Sequence, residues 1–281
     1  MVSDIRLHLY SGAGNLFLLA DGRKGHCVEE DIKALQTVDT IQELCARHGT
    51  DGLMVIEDCG GHDFRMVYYN PDGSGGMMCG NGGRCIVAFA ADLGVAMKGE
   101  KYMFEAPDGL HEAEILSTSD GVKTVRLKMI DVAAIDRHKS LAVDVPSDGY
   151  FLNTGTRHYV RFIDDVEALD LETEGRTIRW AGEFAPAGTN VNYVTPRQTD
   201  GGTLLDVRTF EKGVERETQA CGTGIVASAI AAYTHGITPT EKGDSVRYAV
   251  KARGGDLAVD FVPAQIAVSV YLTGPAVELP L

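Results

Sequence analysis

The chain has 281 residues, 44% of them hydrophobic and 23% charged, a globular composition with room for two domains of ordinary size. Its formal net charge of -14 argues against a nucleic-acid partner, which would need a basic stripe. No apolar run approaches a membrane span, and Met1 to Tyr10 lacks the apolar middle of a signal peptide, so a cytoplasmic protein is expected. Its six cysteines, at positions 27, 45, 59, 79, 85 and 221, would be kept reduced there. Their spacing fits neither a disulfide framework nor a zinc site, and no metal is expected.

In chain order, Leu7 to Tyr10 alternates like a strand and meets a tight turn, Ser11-Gly12-Ala13-Gly14-Asn15, before Leu16 to Ala20 resumes as a strand. Asp39 to Arg47 reads as a helix with Ile41, Leu44 and Cys45 on one face, capped by Asp39 or Thr40. Leu53 to Glu57 and Phe64 to Tyr69 read as strands. The turn Asn70-Pro71-Asp72-Gly73-Ser74-Gly75-Gly76 then delivers the chain to Cys79. From there Gly80-Asn81-Gly82-Gly83-Arg84-Cys85 leads into Ile86 to Ala91, an apolar run expected to be a buried helix. Cys85 reads as packing, and Arg84 as a surface charge or one behind the site. Tyr102 to Ala106 and His111 to Ile115 form a hairpin around Pro107-Asp108-Gly109, and Val122 to Met129 is strand-like. His26, His62 and His111 read as solvated.

The second half repeats the first in outline. Phe151 to Phe162 passes through a glycine-containing turn into a strand; Asn190 to Val194 matches Asp51 to Val55, and Leu204 to Glu211 matches Phe64 to Asn70. Ala220-Cys221-Gly222-Thr223-Gly224 then runs into a second apolar helix, Ile225 to Ala232, as Cys79 does. Asn70 and Glu211 become partners, nine and ten residues before their cysteines. Ile266 to Leu272 and Ala276 to Leu279 are strand-like. The pattern predicts an α/β (α+β) fold of two pseudo-symmetric lobes, each a barrel-like sheet wrapped around a central helix. The expected boundaries are 1–122 for the first lobe, joined by a returning strand at 274–281, and 123–273 for the second.

A cysteine at a helix N-terminus sits among backbone N–H groups without intrahelical partners, at the positive end of the helix dipole. That setting lowers a thiol pKa from about 8.5 toward neutrality, and the same N–H groups bind a carboxylate. Two such helix ends brought together would hold a carboxylate between two dipoles, with one sulfur on each face of its α-carbon. Stereoinversion without a cofactor needs that arrangement: one thiolate removes the α-proton, and the other thiol returns one to the opposite face.

These residues resemble the diaminopimelate epimerase family, which works without pyridoxal phosphate. The likeness runs through Met78 to Cys85, Ala220 to Gly224, Gly12-Ala13-Gly14-Asn15, Asp51-Gly52-Leu53, Tyr69 to Gly73, Gly188 to Asn192 and Leu272 to Ala276. The resemblance implies that Cys79 and Cys221 are the acid/base pair and that His158 and Glu211 tune their protonation. It implies further that Gly80, Asn81, Gly222 and Thr223 bind the reacting carboxylate, and that Asn15, Asn70, Thr156, Asn190, Glu211 and Lys212 line the pocket. No cofactor, a small amino-acid substrate and a homodimer follow from the same resemblance. The implied reaction is epimerisation of LL-2,6-diaminopimelate to the meso form, in the biosynthesis of lysine and peptidoglycan precursors.

Several positions depart from the family pattern. Thr156 stands where an Asn is usual, and Lys212 replaces an Arg, turning a bidentate fork into a point charge. The segment between Glu211 and Cys221 is one residue longer, the loop before Asp51 is shorter, and Leu16 follows Asn15 where an acidic residue is common. Thr156 and Lys212 keep open a racemase acting on a different amino acid with the same cysteine pair. A third reading, a thiol redox or sensor protein, rests only on the ability of two helix-start thiols to oxidise.

Overall fold

The computed structural model describes residues 5–76, 78–137 and 145–281. The chain divides into two compact units, one of Met1–Leu127 with Gly274–Leu281, the other of Lys128–Thr273.

The first unit begins with a hairpin, β1 (Leu7–Gly12) and β2 (Asn15–Asp21). Ala13 and Gly14, both at positive φ (50° and 85°), make its two-residue turn, the backbone that matches the right-handed twist of the strands. Two short helices follow, α1 (Glu29–Leu35) and α2 (Val38–His48), and then β3 (Leu53–Glu57), parallel to β2. β4 (Phe64–Tyr69) pairs antiparallel with β3. The long helix α3 (Gly80–Asp92) then carries the chain to β5 (Tyr102–Ala106), parallel to β4. β6 (Gly109–Ser119) and β7 (Val122–Lys128) continue as an antiparallel meander. Residues 274–279 pair with β7 on one side and β1 on the other, closing an eight-stranded barrel.

Residues 80–90 of α3 are buried all round, as a helix running inside a barrel must be. Here α3 is the crossover of the parallel pair β4 and β5, which is why an apolar helix follows Cys79. Strands β2 and β3 lie between this helix and the outer pair α1 and α2. Ile32, Leu35, Ile41 and Cys45 pack on Leu18, Ala20, Leu53 and Val55. Burial on both faces explains the unbroken apolar runs Phe17 to Ala20 and Leu53 to Ile56.

The second unit repeats this order. Residues 129 and 132 bond to 270 and 267, and β8 (Ile135–Arg137) extends this edge to β9 (Tyr150–Asn153). β9 turns into β10 (Arg157–Phe162), α4 (Leu171–Arg179) crosses to β11 (Asn190–Thr199), parallel to β10, and β12 (Gly202–Glu211) returns antiparallel. A two-residue strand, β13 (Arg216–Glu217), precedes α5 (Gly222–His235), and β14 (Thr240–Lys242) follows it. Then β15 (Ser245–Ala252), parallel to β12, β16 (Gly255–Pro263) and β17 (Ala267–Leu279) complete the ring. The repeat read in the sequence is therefore a repeat of topology: hairpin, parallel crossover, hairpin, parallel crossover through an apolar helix, meander.

Some local readings change. Helix α2 begins at Val38 behind Thr37, so neither Asp39 nor Thr40 caps it; the Thr37 hydroxyl instead donates to the Ala34 carbonyl. Helices α1 and α4 were not anticipated, because both are short and largely charged. Ile266 to Leu272 and Ala276 to Leu279 are parts of one strand, which serves both units in turn. Of the two readings of Arg84, a surface charge and one behind the site, the first falls: it is 0% exposed, since its helix has no solvent face there. His111 is only partly solvated, stacked on Phe104 and bonded to Asp108 at 3.0 Å.

Candidate active site

In the first unit, Cys79 is the N-cap of α3. Its backbone is extended (φ -112°, ψ 149°), and its Sγ accepts a hydrogen bond from the Gly82 N–H at 3.2 Å. A sulfur in this place takes the role that a Ser or Asp oxygen usually plays at a helix start. A thiolate is the better acceptor there and is favoured by the helix dipole. Cys79 is half-buried, while Gly80 and Asn81 behind it are buried. Cys85, on the same helix, is fully buried, and burial pushes its thiol up to about 12, so it stays protonated and serves as packing.

A chain of four polar side chains holds the helix start. Asn81 Nδ2 donates to Asn15 Oδ1 at 2.5 Å, and Asn15 Nδ2 donates to Asp51 Oδ2 at 2.9 Å. Arg84 Nη2 donates to Asn81 Oδ1 at 2.8 Å, which sets the orientation of both amides. Asp51 also accepts from the Leu16 N–H at 3.0 Å, so the residue after Asn15 supplies backbone rather than charge. Gly12 lets β1 approach this turn: a Cβ there would sit 2.7 Å from the Asn81 carbonyl and 2.9 Å from Cys85 Sγ. Asn70 stands apart from this network. Its Nδ2 donates to Ser74 Oγ at 3.0 Å within the turn that leads to Cys79.

In the second unit, Cys221 is the N-cap of α5, with extended backbone (φ -98°, ψ 106°) and 7% exposure. Its side chain does not cap the helix; Sγ lies 3.5 Å from Thr223 Oγ1. Thr223 Oγ1 is 3.0 Å from His158 Nε2 and 3.2 Å from Thr156 Oγ1, while Thr156 Oγ1 is 2.9 Å from His158 Nε2. Asn190 Nδ2 donates to Thr156 Oγ1 at 3.1 Å and to the Arg157 carbonyl at 2.9 Å, and its Oδ1 accepts from the Lys212 N–H at 2.8 Å. The hydroxyl of Thr223 thus joins the cysteine to the histidine, and Thr156 and Asn190 continue the chain outward.

His158 is 0% exposed. Asn192 Nδ2 donates to the Tyr159 carbonyl at 3.2 Å, and Asn192 Oδ1 accepts from Thr209 Oγ1 at 2.9 Å, which fixes that amide. The Nδ2 therefore also faces His158 Nδ1, at 2.9 Å, and only an unprotonated Nδ1 can accept from it. The imidazole is the neutral Nε2–H tautomer. Burial drives its pKa down to about 3, and the Lys212 charge pushes the same way. Gly224 makes room for this packing, because a Cβ there would lie 2.3 Å from Asn192 Oδ1 and 3.3 Å from His158 Cε1.

Glu211, at the end of β12, accepts from Thr218 Oγ1 at 2.8 Å. Lys212 enters the network through its backbone. The candidate residues thus form two groups: Asn15, Cys79, Gly80 and Asn81 in one unit, and Thr156, His158, Asn190, Lys212, Cys221, Gly222 and Thr223 in the other. Asn70 and Glu211 lie on the approaches to their cysteines. Sequence reading assigned no part to Asn192 and Thr209, and left Arg84 as a surface charge or one behind the site. Strand periodicity would have found Asn192, which shares a strand face with Asn190 two residues away.

The family model described as diaminopimelate epimerase matches residues 8–130 and 150–279. The diaminopimelate epimerase of Flavobacterium psychrophilum is 39% identical over 277 residues, covering 97% of each chain. That of Chlorobaculum tepidum is 39% identical over 272 residues, covering 95% of this chain and 96% of its own. Among solved structures, a phenazine biosynthesis protein of the PhzF family from Bacillus anthracis shares the fold at 14% identity, with a TM-score of 0.72 over 98% of this chain and 97% of its own. The chain belongs to the diaminopimelate epimerase family.

Proposed function

We propose that this chain interconverts LL-2,6-diaminopimelate and meso-diaminopimelate by a two-base mechanism, with Cys79 and Cys221 as the acid/base pair. One thiolate removes the α-proton of the substrate, and the other thiol gives a proton to the opposite face of the α-carbon. The products are the inverted amino acid and an enzyme whose two sulfurs have exchanged protonation states, so the reverse reaction uses the same groups.

The observation that carries this reading is the double placement of a cysteine as N-cap of the apolar crossover helix in two units of the same strand order. An amino acid's α-C–H is very weakly acidic, so negative charge spreading onto the carboxylate must be stabilised. The N–H groups of Gly80, Asn81, Gly222 and Thr223 lie in first helical turns, where backbone donors have no intrahelical partner. Neutral His158 keeps a hydrogen-bonded hydroxyl, that of Thr223, beside Cys221 without adding a positive charge. Glu211 is the second tuning group, and Asn15, Asn70, Thr156, Asn190 and Lys212 bind the rest of the substrate.

A racemase for a different amino acid is the second reading. Thr156 favours it, because its hydroxyl is engaged by His158, Thr223 and Asn190 where the family carries an amide that reads the distal end of the substrate. Chiral chromatography of reactions on LL-diaminopimelate and a panel of L-amino acids separates the two. Conversion of diaminopimelate alone supports the first reading, and inversion of another amino acid alone supports the second.

The working form we propose is a cytoplasmic homodimer. No helix among the described residues is long and apolar enough to cross a membrane, and all six cysteines are free thiols. Sedimentation velocity tests the dimer, and a monomer that turns over at full rate rejects it.

A further inference from the structure

Among the described residues, the largest fully buried side chain is a cation, Arg84, at 0% exposure. Removing a guanidinium from water costs several kcal/mol unless charge or hydrogen bonds replace the solvent, on the order given for buried ions. Its bonds go to the Gly80 carbonyl at 3.1 Å, to Asn81 Oδ1 at 2.8 Å and to the Pro275 carbonyl at 3.5 Å. All three acceptors are neutral, and among the described residues no carboxylate lies within ion-pair distance of Arg84. Asp51, the carboxylate nearest along the network, is two amides away at the surface.

The two halves of the molecule differ at this place. Cys79 and Arg84 are five residues apart on one helix start; five residues beyond Cys221 on the equivalent helix is Val226, also 0% exposed. Equivalent sites in a duplicated fold therefore carry a cation behind one sulfur and an isopropyl group behind the other. The Arg84 charge interacts with the Cys79 and Cys85 sulfurs, and Cys85 is held as a neutral thiol by its burial. Asp108, which faces this segment from the β5–β6 turn, accepts from the Met78 N–H and pairs with His111.

We propose that Arg84 is a positioning residue for Cys79: its buried guanidinium is the counter-charge that places the resting thiolate on Cys79 rather than Cys221, while its bonds to Gly80 and Asn81 hold the helix turn that caps the sulfur. The proposal deepens the two-base reading and assigns its starting state: thiolate on Cys79, thiol on Cys221.

The test needs no substrate, so its outcome is independent of whether diaminopimelate is turned over. The reduced protein is alkylated with iodoacetamide from pH 5 to pH 10, and the rate at each cysteine is read by peptide mass spectrometry. In the wild type, Cys79 is expected to reach half-maximal reactivity at least one pH unit below Cys221; the reverse order overturns the proposal. In Arg84→Gln, with folding checked by circular dichroism, the Cys79 profile is expected to move up by at least one pH unit, and an unmoved profile overturns the proposal. Arg84→Lys keeps the charge and loses the fork, and is expected to stay near the wild-type profile. A displacement as large as that of Arg84→Gln contradicts the counter-charge role. If Arg84→Gln does not fold, the wild-type order of the two cysteines decides.

Discussion

Asn192 points its amide N–H at Nδ1 of His158 from 2.9 Å, and this contact sets which nitrogen of the neutral imidazole carries its proton. With the Asn192 amide locked by the Tyr159 carbonyl and the Thr209 hydroxyl, protonation of Nδ1 would set two donors against each other. The His158 pKa falls from the ordinary 6.5 to about 3, chiefly through burial. Between these values the unfolded chain binds a proton that the folded one refuses, so stability falls as pH drops through this window. The loss expected from His158 is on the order of 1 kcal/mol per pH unit below about 6.5. Urea denaturation at pH 7.5, 6 and 5 should show it, and His158→Gln should have a flatter pH dependence. An equally steep profile in His158→Gln contradicts the assignment.

Replacing Cys79 or Cys221 by Ala removes one of the two proton-transfer groups. Each variant is expected to lose epimerisation by at least about a thousandfold, within the range for a positioned acid or base, with an unchanged circular dichroism spectrum. Either variant inverting its substrate at the wild-type rate would reject the two-base scheme.

Asn190 is 3% exposed and satisfies Thr156 Oγ1, the Arg157 carbonyl and the Lys212 N–H at once. Asn190→Ala strands these groups, at about 1–3 kcal/mol for each one left buried and unpaired. Lower urea midpoints and a raised KM are expected together. A raised KM with unchanged stability would mean that water replaces the amide.

Gly12→Ala should act on Cys79 from a distance. The new methyl would press on the Asn81 carbonyl and Cys85 Sγ, both on the helix that Cys79 caps. Overpacking of this kind costs about 1–3 kcal/mol. A fall in kcat measured beside a lower melting temperature would agree, and wild-type values for both would show that β1 yields without disturbing the helix.

Most of the fold was legible because a parallel crossover through the inside of a barrel leaves a strong signature. It forces an all-apolar helix behind a small-residue start, and Cys79 and Cys221 each mark one. The repeat of Asp51 to Val55 in Asn190 to Val194 was legible in position: β3 reads as the continuous apolar run Leu53 to Ile56, whereas the buried start of β11 sets Asn190 and Asn192 among Val191, Tyr193 and Val194. Helix α4 was hidden by Leu171-Glu172-Thr173-Glu174-Gly175-Arg176, whose glycine looks like a breaker. Gly175 is needed there because a Cβ would come within 2.6 Å of Phe210. Arg84 was left between the surface and a place behind the site because composition sends arginine outward, and only knowledge that its helix is enclosed on every side decides for the second. His158 and Thr156 were found through the resemblance, but their coupling through Thr223 lies 65 and 67 residues away along the chain and only the fold brings it together.

Proton exchange tests the central claim most directly. LL-diaminopimelate is incubated with the reduced protein in D2O without added cofactor, and both the α-proton signal and the stereochemistry are followed by NMR at low conversion. The account predicts meso-diaminopimelate carrying deuterium at the inverted centre, while recovered LL substrate keeps its α-proton, since each sulfur delivers to its own face. Recovered substrate that gains deuterium as fast as product forms, or no inversion at all, would contradict it.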